Sequence, residues 1–182
     1  MATEFFITLG FNASRFDHNN IDTFTQAWAT REFALPQDKA MAVTEIMNNV
    51  TRWNARRKPE LLNATTYSLI NYRERVLISN FLHSQLNGCF RADTVMANWD
   101  ATVAASTSIY NSLSSAMKPA FFQLVHHPVL ASANVQKMLI AAGQNNLFGS
   151  QARLSTNDLA DQASALATYP LLFLFRLTSK LG

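Results

Sequence analysis

Acidic side chains are missing from one long part of the sequence, and basic side chains are concentrated in another. The 57 residues from Ala101 to Asn157 contain no Asp or Glu, whereas six of the 15 Lys and Arg residues fall between Arg52 and Arg75. Clustered Arg and Lys neutralise phosphates well, so this arrangement favours a polyanionic partner. Nucleic acid is the first such partner to consider.

Cysteine and charged residues are also scarce. The single Cys89 excludes an internal disulfide. Charged residues make up 15% of the chain, which is below the ~25% that is usual for globular proteins. The surface is therefore expected to be neutral and polar, as suits a subunit whose sides are covered by copies of itself.

Motifs of catalysis and of metal binding are absent from the sequence. It contains no glycine-rich phosphate loop, no nucleophile elbow and no Cys or His pair at metal-ligand spacing. The adjacent His126 and His127 would diverge by about 100° on a helix and could not readily share one ion. We therefore expect no enzyme activity, no catalytic residue, no metal and no cofactor. The most apolar stretch, Tyr169 to Leu177, is also shorter than a membrane span of ~20 residues.

Apolar residues recur at spacings of three and four, which indicates amphipathic helices. The pattern predicts a helix over Ile21 to Arg31, another after Pro36, and a long one from Asp93 to Met117 that ends at Pro119. This long helix should form the spine of a bundle. Its predicted core-facing residues are Trp99, Val103, Ile109 or Tyr110, and Leu113.

Two more helices are predicted in the last third of the chain. One begins at Pro128 and ends at Gly143, and the other runs from Thr156 to Pro170, with residues 144–155 as a polar connection. Residues 61–72 suit a strand or a helix equally well. The fold class is therefore all-α: one helical bundle over residues 1–182, with residues 1–19 and 170–182 as candidate apolar or extended terminal arms.

The basic cluster is the candidate nucleic-acid site. Guanidinium groups bind phosphate through paired hydrogen bonds, and aromatic rings can stack on bases, so the combination suits a single strand of RNA held without base readout. Trp53 and Tyr72 are the stacking candidates, although core packing is the stronger interpretation for both rings. The predicted RNA-binding residues are Arg52, Arg56, Arg57, Lys58, Arg73, Arg75 and Arg91.

One segment resembles a known family. The string Asp100-Ala101-Thr102-Val103-Ala104, followed by Ile109 and Asn111, is similar to a helix of the tobacco-mosaic-type coat proteins. The size, the helical pattern and the neutral surface also resemble subunits of rod-shaped or filamentous plant viruses. The resemblance implies a capsid protein that assembles helically around single-stranded RNA, in the virion and the host cytoplasm. No individual functional residue is carried over from that family.

Self-association is predicted through the two apolar ends of the chain. The candidate subunit contacts are Phe5, Phe6, Leu171, Phe173 and Phe175, although both segments could equally belong to the core. The alternative function is a small α-helical protein-interaction module or enzyme subunit whose basic surface meets an acidic partner. No membrane partner is expected.

Overall fold

The computed structural model describes residues 2–17, 19–55, 62–63 and 92–178, and within these ranges all regular structure is helical. The described elements are α1 (Ala2–Phe11), α2 (Ile21–Phe33), α3 (Gln37–Ala55), α4 (Ala92–Ser112), α5 (Lys118–Phe121), a π-helical turn (Phe122–His126), α6 (His127–Ser150) and α7 (Thr156–Thr178). The prediction of an all-α protein is confirmed. Apart from residues 62 and 63, the ambiguous segment 61–72 lies outside the described residues.

The long helix α4 ends at Ser112, five residues before the predicted end at Met117. Ser112 Oγ donates a hydrogen bond to the Ile109 carbonyl at 2.8 Å. The backbone N–H groups of Met117 and Lys118 then both bond to the Ser114 carbonyl, at 3.1 and 3.2 Å, in a turn. Serine side chains compete in this way for backbone groups and favour helix ends, so the helix stops before Pro119.

The later helices pass through residues that were predicted to end or begin them. Pro128 does not open a helix, because the π-helical turn leads directly into α6, and α6 continues past Gly143. A proline inside a helix cannot donate to the carbonyl four residues earlier, and its ring crowds that carbonyl. The wider π turn, in which the His127 N–H reaches the Phe122 carbonyl, relieves this crowding. The backbone of α7 likewise continues through Pro170.

The chain divides into two compact units. The described part of unit 1 is residues 2–17, 19–52 and 102–129, and that of unit 2 is residues 53–55, 62–63, 92–101 and 130–178. The single domain over residues 1–182, with arms at 1–19 and 170–182, stays a prediction. None of the described helices is long and apolar enough to cross a bilayer.

The core of unit 1 is built on edge-to-face aromatic contacts. The Phe33 ring lies 5.2 Å from Trp28 and 5.1 Å from Phe121, measured between ring centroids. Such pairs add about 0.5–1.5 kcal/mol to the free energy gained by burying the rings. Around them lie the other buried residues of this cluster, namely Ala29, Leu35, Ala40, Val43, Ile46, Ile109, Val125 and Val129.

His126 belongs to unit 1 and is buried, whereas its neighbour His127 is exposed. The His126 ring stacks on Tyr110 at 5.0 Å, and its Nδ1 lies 2.9 Å from Ser106 Oγ, which is itself fully buried. Burial, and to a smaller extent the charge of His127, lowers the pKa of His126. The two histidines thus have separate environments, and His126 is held neutral within the packed interior.

Unit 2 contains the first half of α4, through Ala101, and α6 from Leu130 onward. Trp99 on α4 is fully buried. An ion pair of Asp100 with Lys137 joins α4 to α6. A hydrogen bond from Asn54 Nδ2 to Ser132 Oγ, at 3.1 Å, joins the end of α3 to α6. The prediction that Trp99 and Ile109 face a core is confirmed. Val103, Tyr110 and Leu113 are partly buried.

We predict that Phe33→Ala lowers the free energy of unfolding by about 3–5 kcal/mol, because it leaves a cavity between Trp28 and Phe121. The measurement is urea unfolding followed by circular dichroism. The matched control is Phe11→Ala, since Phe11 is 90% exposed and its loss should change the free energy by about 0.5 kcal/mol or less. Equal effects of the two substitutions would contradict the assigned core.

We predict that acid destabilises unit 1 through His126. Its pKa is lowered in the folded state, so the unfolded chain takes up this proton first, and stability falls as the pH drops below the ordinary histidine pKa of about 6.5. The melting temperature should therefore decrease from about pH 7.5 to about pH 5, and the decrease should be smaller in His126→Gln. His127→Gln is the control that keeps the pH dependence; an identical slope in His126→Gln would refute the assignment.

Candidate functional site

A polar groove lies between α2 and α3. It has a volume of about 520 Å³, and its lining includes the carboxylates of Asp22, Asp38 and Glu45 together with Arg52. Three carboxylates against one guanidinium leave the groove two charges negative at neutral pH. All four charged side chains are exposed, so they can reach a ligand from water.

Helical spacing explains why these residues share a groove. On α3, Asp38, Glu45 and Arg52 follow one another at intervals of seven residues, which places them along one side of the helix. Asp22 and Gln26 are four residues apart on α2 and face the same groove. The α3 residues span about 21 Å along the helix axis at 1.5 Å per residue.

A hydrogen bond between the two helices holds Asp22 in place. Asn48 Nδ2 donates to Asp22 Oδ1 at 3.0 Å. Glu45 precedes Asn48 by three residues on α3, a spacing that makes side chains neighbours on a helix surface. Asp22 and Glu45 thus line the groove from its two sides, one on α2 and the other on α3.

A second concavity lies between α1 and α2, and we call it the α1–α2 cleft. It has a volume of about 450 Å³ and is lined by charged, hydroxyl and aromatic side chains. Its carboxylate, Glu4, accepts a hydrogen bond from Arg31 at 2.9 Å, and Arg31 also binds Glu32. Hydrogen bonds from Arg31 to Glu32 and Glu4 raise its pKa above the ordinary value. A carboxylate neutralised in this way is poorly suited to act as an acid or a nucleophile, so the α2–α3 groove is the better candidate for chemistry.

Two of the predicted RNA-contacting residues lie in the described part of the chain. Arg52 is exposed and lines the acidic groove, and Trp53 is half-buried. The other predicted residues lie outside the described residues: Arg56, Arg57, Lys58, Tyr72, Arg73, Arg75 and Arg91. RNA binding by these residues stays a prediction.

The predicted subunit contacts are described only at the start of the chain. Phe5 packs within the chain, with its ring centroid 5.8 Å from that of Phe16 and 5.1 Å from that of Phe24. Phe6 on the same helix is 72% exposed. The side chains of Leu171, Phe173 and Phe175 lie outside the description, although their backbone belongs to α7. Self-association through these residues also stays a prediction.

No group of three metal-ligating side chains occurs within the described ranges. Sequence reasoning missed the α2–α3 groove, because its acidic residues are spread over two helices and none forms a motif with its sequence neighbours. The one available signal was the seven-residue interval between Asp38 and Glu45.

Residues 1–61 match the model of a family of known enzymes, glycosyl hydrolase family 115. The match covers the first 61 of the 182 residues and includes the whole lining of both the α2–α3 groove and the α1–α2 cleft. No curated protein sequence matches the chain.

The match contradicts the resemblance to plant-virus coat proteins, because it relates the start of the chain to a hydrolase family. The prediction of a coat protein was wrong, and the match also contradicts the prediction of no enzyme activity. RNA as a partner and the location in the virion and host cytoplasm are not tested by the match and stay predictions.

The coat-protein prediction rested on a neutral, Ala- and Asn-rich composition, on the clustered basic residues and on twelve residues around Asp100 to Asn111. Such features describe a surface and a helix but specify no site. The prediction of no enzyme activity rested on the absence of catalytic and metal-binding motifs. The finding agrees better with the alternative of an α-helical enzyme subunit.

Proposed function

We propose that this protein is an α-helical subunit of a carbohydrate-processing enzyme and that its α2–α3 groove binds a carbohydrate. One observation carries the proposal. The groove and the three carboxylates that line it lie wholly inside residues 1–61, the segment that resembles a glycosyl hydrolase family.

The groove offers the hydrogen-bonding groups that sugar hydroxyls require. Each hydroxyl both donates and accepts, so it pairs well with amides, which do the same, and with carboxylates, which accept. Gln26, Asn48 and Asn49 supply the amides beside the carboxylates. Met41, 51% exposed, supplies an apolar contact for the face of a sugar ring. The length of the α3 face suits an extended ligand.

The negative charge of the groove also discriminates between ligand classes. A polyanion such as RNA would meet two uncompensated negative charges, whereas a neutral oligosaccharide would not be repelled. Arg52 is the one cation in the lining, and it lies at the end of the row that begins with Asp38. The groove thus favours neutral carbohydrates over nucleic acids.

Hydrolysis of a glycosidic bond ordinarily needs two carboxyl groups, one to protonate the leaving oxygen and one to act as a nucleophile or base. The candidate pair is Asp22 on α2 and Glu45 on α3, three residues before the Asn48 that bonds to Asp22. Asp38 lies about 10 Å further along α3 by helical rise and serves in binding. Asp22 and Glu45 are therefore the two residues to substitute when binding and hydrolysis are tested.

We predict that Glu45→Gln and Asp22→Asn each weaken binding of a neutral oligosaccharide by about tenfold or more, because a hydrogen bond to a charged group contributes about 1.5–3 kcal/mol. The measurement is titration of the full chain, by nuclear magnetic resonance, with cellohexaose, xylohexaose and maltohexaose in turn. Release of 4-nitrophenol from a panel of 4-nitrophenyl glycosides tests hydrolysis separately.

The matched control is Asp161→Asn, because Asp161 is an exposed carboxylate on α7, outside the groove. It should bind the oligosaccharide as the parent does. Binding that survives both groove substitutions, or a parent chain that binds none of the oligosaccharides, would overturn the proposal. Loss of 4-nitrophenol release in the groove variants at a saturating concentration of glycoside would assign the pair to hydrolysis as well as to binding.

A further inference from the structure

The α1–α2 cleft has the size and the walls of a small-molecule site. Its volume of about 450 Å³ lies within the ~300–1,000 Å³ typical of such sites. Phe16, Phe24 and Trp28 line it, and the first two are half-buried, so part of each ring is available to a ligand. The Phe16 and Phe24 ring centroids lie 5.5 Å apart in an edge-to-face pair. The Phe5 ring packs against both of them.

The cleft carries one positive charge that the described residues do not neutralise. Arg31 is engaged by Glu4 and Glu32. Arg15 is exposed, and its Cζ lies 5.4 Å from the centroid of the Phe16 ring. No ion pair joins Arg15 to any described carboxylate. Its guanidinium is thus held beside an aromatic wall with donors free for an anion.

A single uncompensated guanidinium matches a single negative charge. Carboxylate suits the fork of a guanidinium, because two parallel N–H···O bonds can form. Phosphate monoesters and polyphosphates carry more charge than the single Arg15 guanidinium balances. The aromatic walls favour a flat apolar group next to the carboxylate.

We propose that the α1–α2 cleft binds a small aromatic monocarboxylate, whose carboxylate pairs with Arg15 and whose ring packs against the half-buried Phe24. This site is separate from the α2–α3 groove, and its occupation does not depend on carbohydrate binding there.

The test is calorimetric titration of the full chain with naphthalene-1-carboxylate and with its neutral isostere, naphthalene-1-carboxamide. We expect the carboxylate to bind about tenfold more tightly than the amide. Arg15→Gln should abolish this preference, and Arg15→Lys should keep part of it, since lysine retains the charge but not the fork. Phe24→Leu should weaken both compounds by a similar factor.

The matched control is Arg153→Gln. Arg153 also lies over an aromatic ring, with its Cζ 4.5 Å from the Phe148 centroid, but it belongs to unit 2 and not to the cleft. This substitution should leave both affinities unchanged. Equal binding of the carboxylate and the amide, an unchanged preference in Arg15→Gln, or no binding of the carboxylate at millimolar concentration would each overturn the proposal. Unaltered thermal melting of Arg15→Gln excludes misfolding as the cause of a loss.

Discussion

The edge-to-face packing of Phe33 between Trp28 and Phe121 is the contact on which the candidate site depends. Phe33 is the last residue of α2, and only Ala34, Leu35 and Pro36 separate it from α3. So short a connection makes the two helices antiparallel neighbours. Ala34 turns the chain with a left-handed φ of 50°, which costs about 1 kcal/mol or more for a residue other than glycine. The buried rings on either side of this turn offset that cost, and the pairing of α2 with α3 creates the acidic groove.

Sequence periodicity predicted where most helices lie, because amphipathic stripes report the burial of one face. Ile21 and Pro36 marked the starts of α2 and α3 to within a residue. The ends were harder to predict, since they depend on competition between local signals and the rest of the fold. Pro128 and Pro170 are strong breakers in isolation, yet one follows a π-helical turn that makes room for it and the other lies within α7. The hydroxyl of Ser112, with no proline nearby, ended α4 instead.

The site could not be predicted in the same way, because charge clusters are visible in a sequence only when their members are sequence neighbours. The basic residues from Arg52 to Arg75 led to an RNA-binding hypothesis because they lie close together in the sequence. Asp22, Asp38 and Glu45 are separated by up to 23 residues, and helix pairing alone brings them to one groove. The coat-protein resemblance failed for a related reason. Composition records what a surface contains, whereas a function requires particular side chains at one place.

Helix α2 separates two concavities of opposite charge. Asp22 and Gln26 face the groove, whereas Phe24 and Arg31 face the cleft. At about 100° per residue, these two sets lie on nearly opposite sides of the helix.

The groove is two charges negative, and the cleft lining, with Arg15 and Arg31 against Glu4, is one charge positive. An anion small enough for either concavity would be repelled by the first and attracted by the second. The Glu4–Arg31 ion pair joins α1 to the cleft face of α2, whereas the hydrogen bond from Asn48 to Asp22 joins α3 to the opposite face. The two concavities therefore share a helix but no lining side chain.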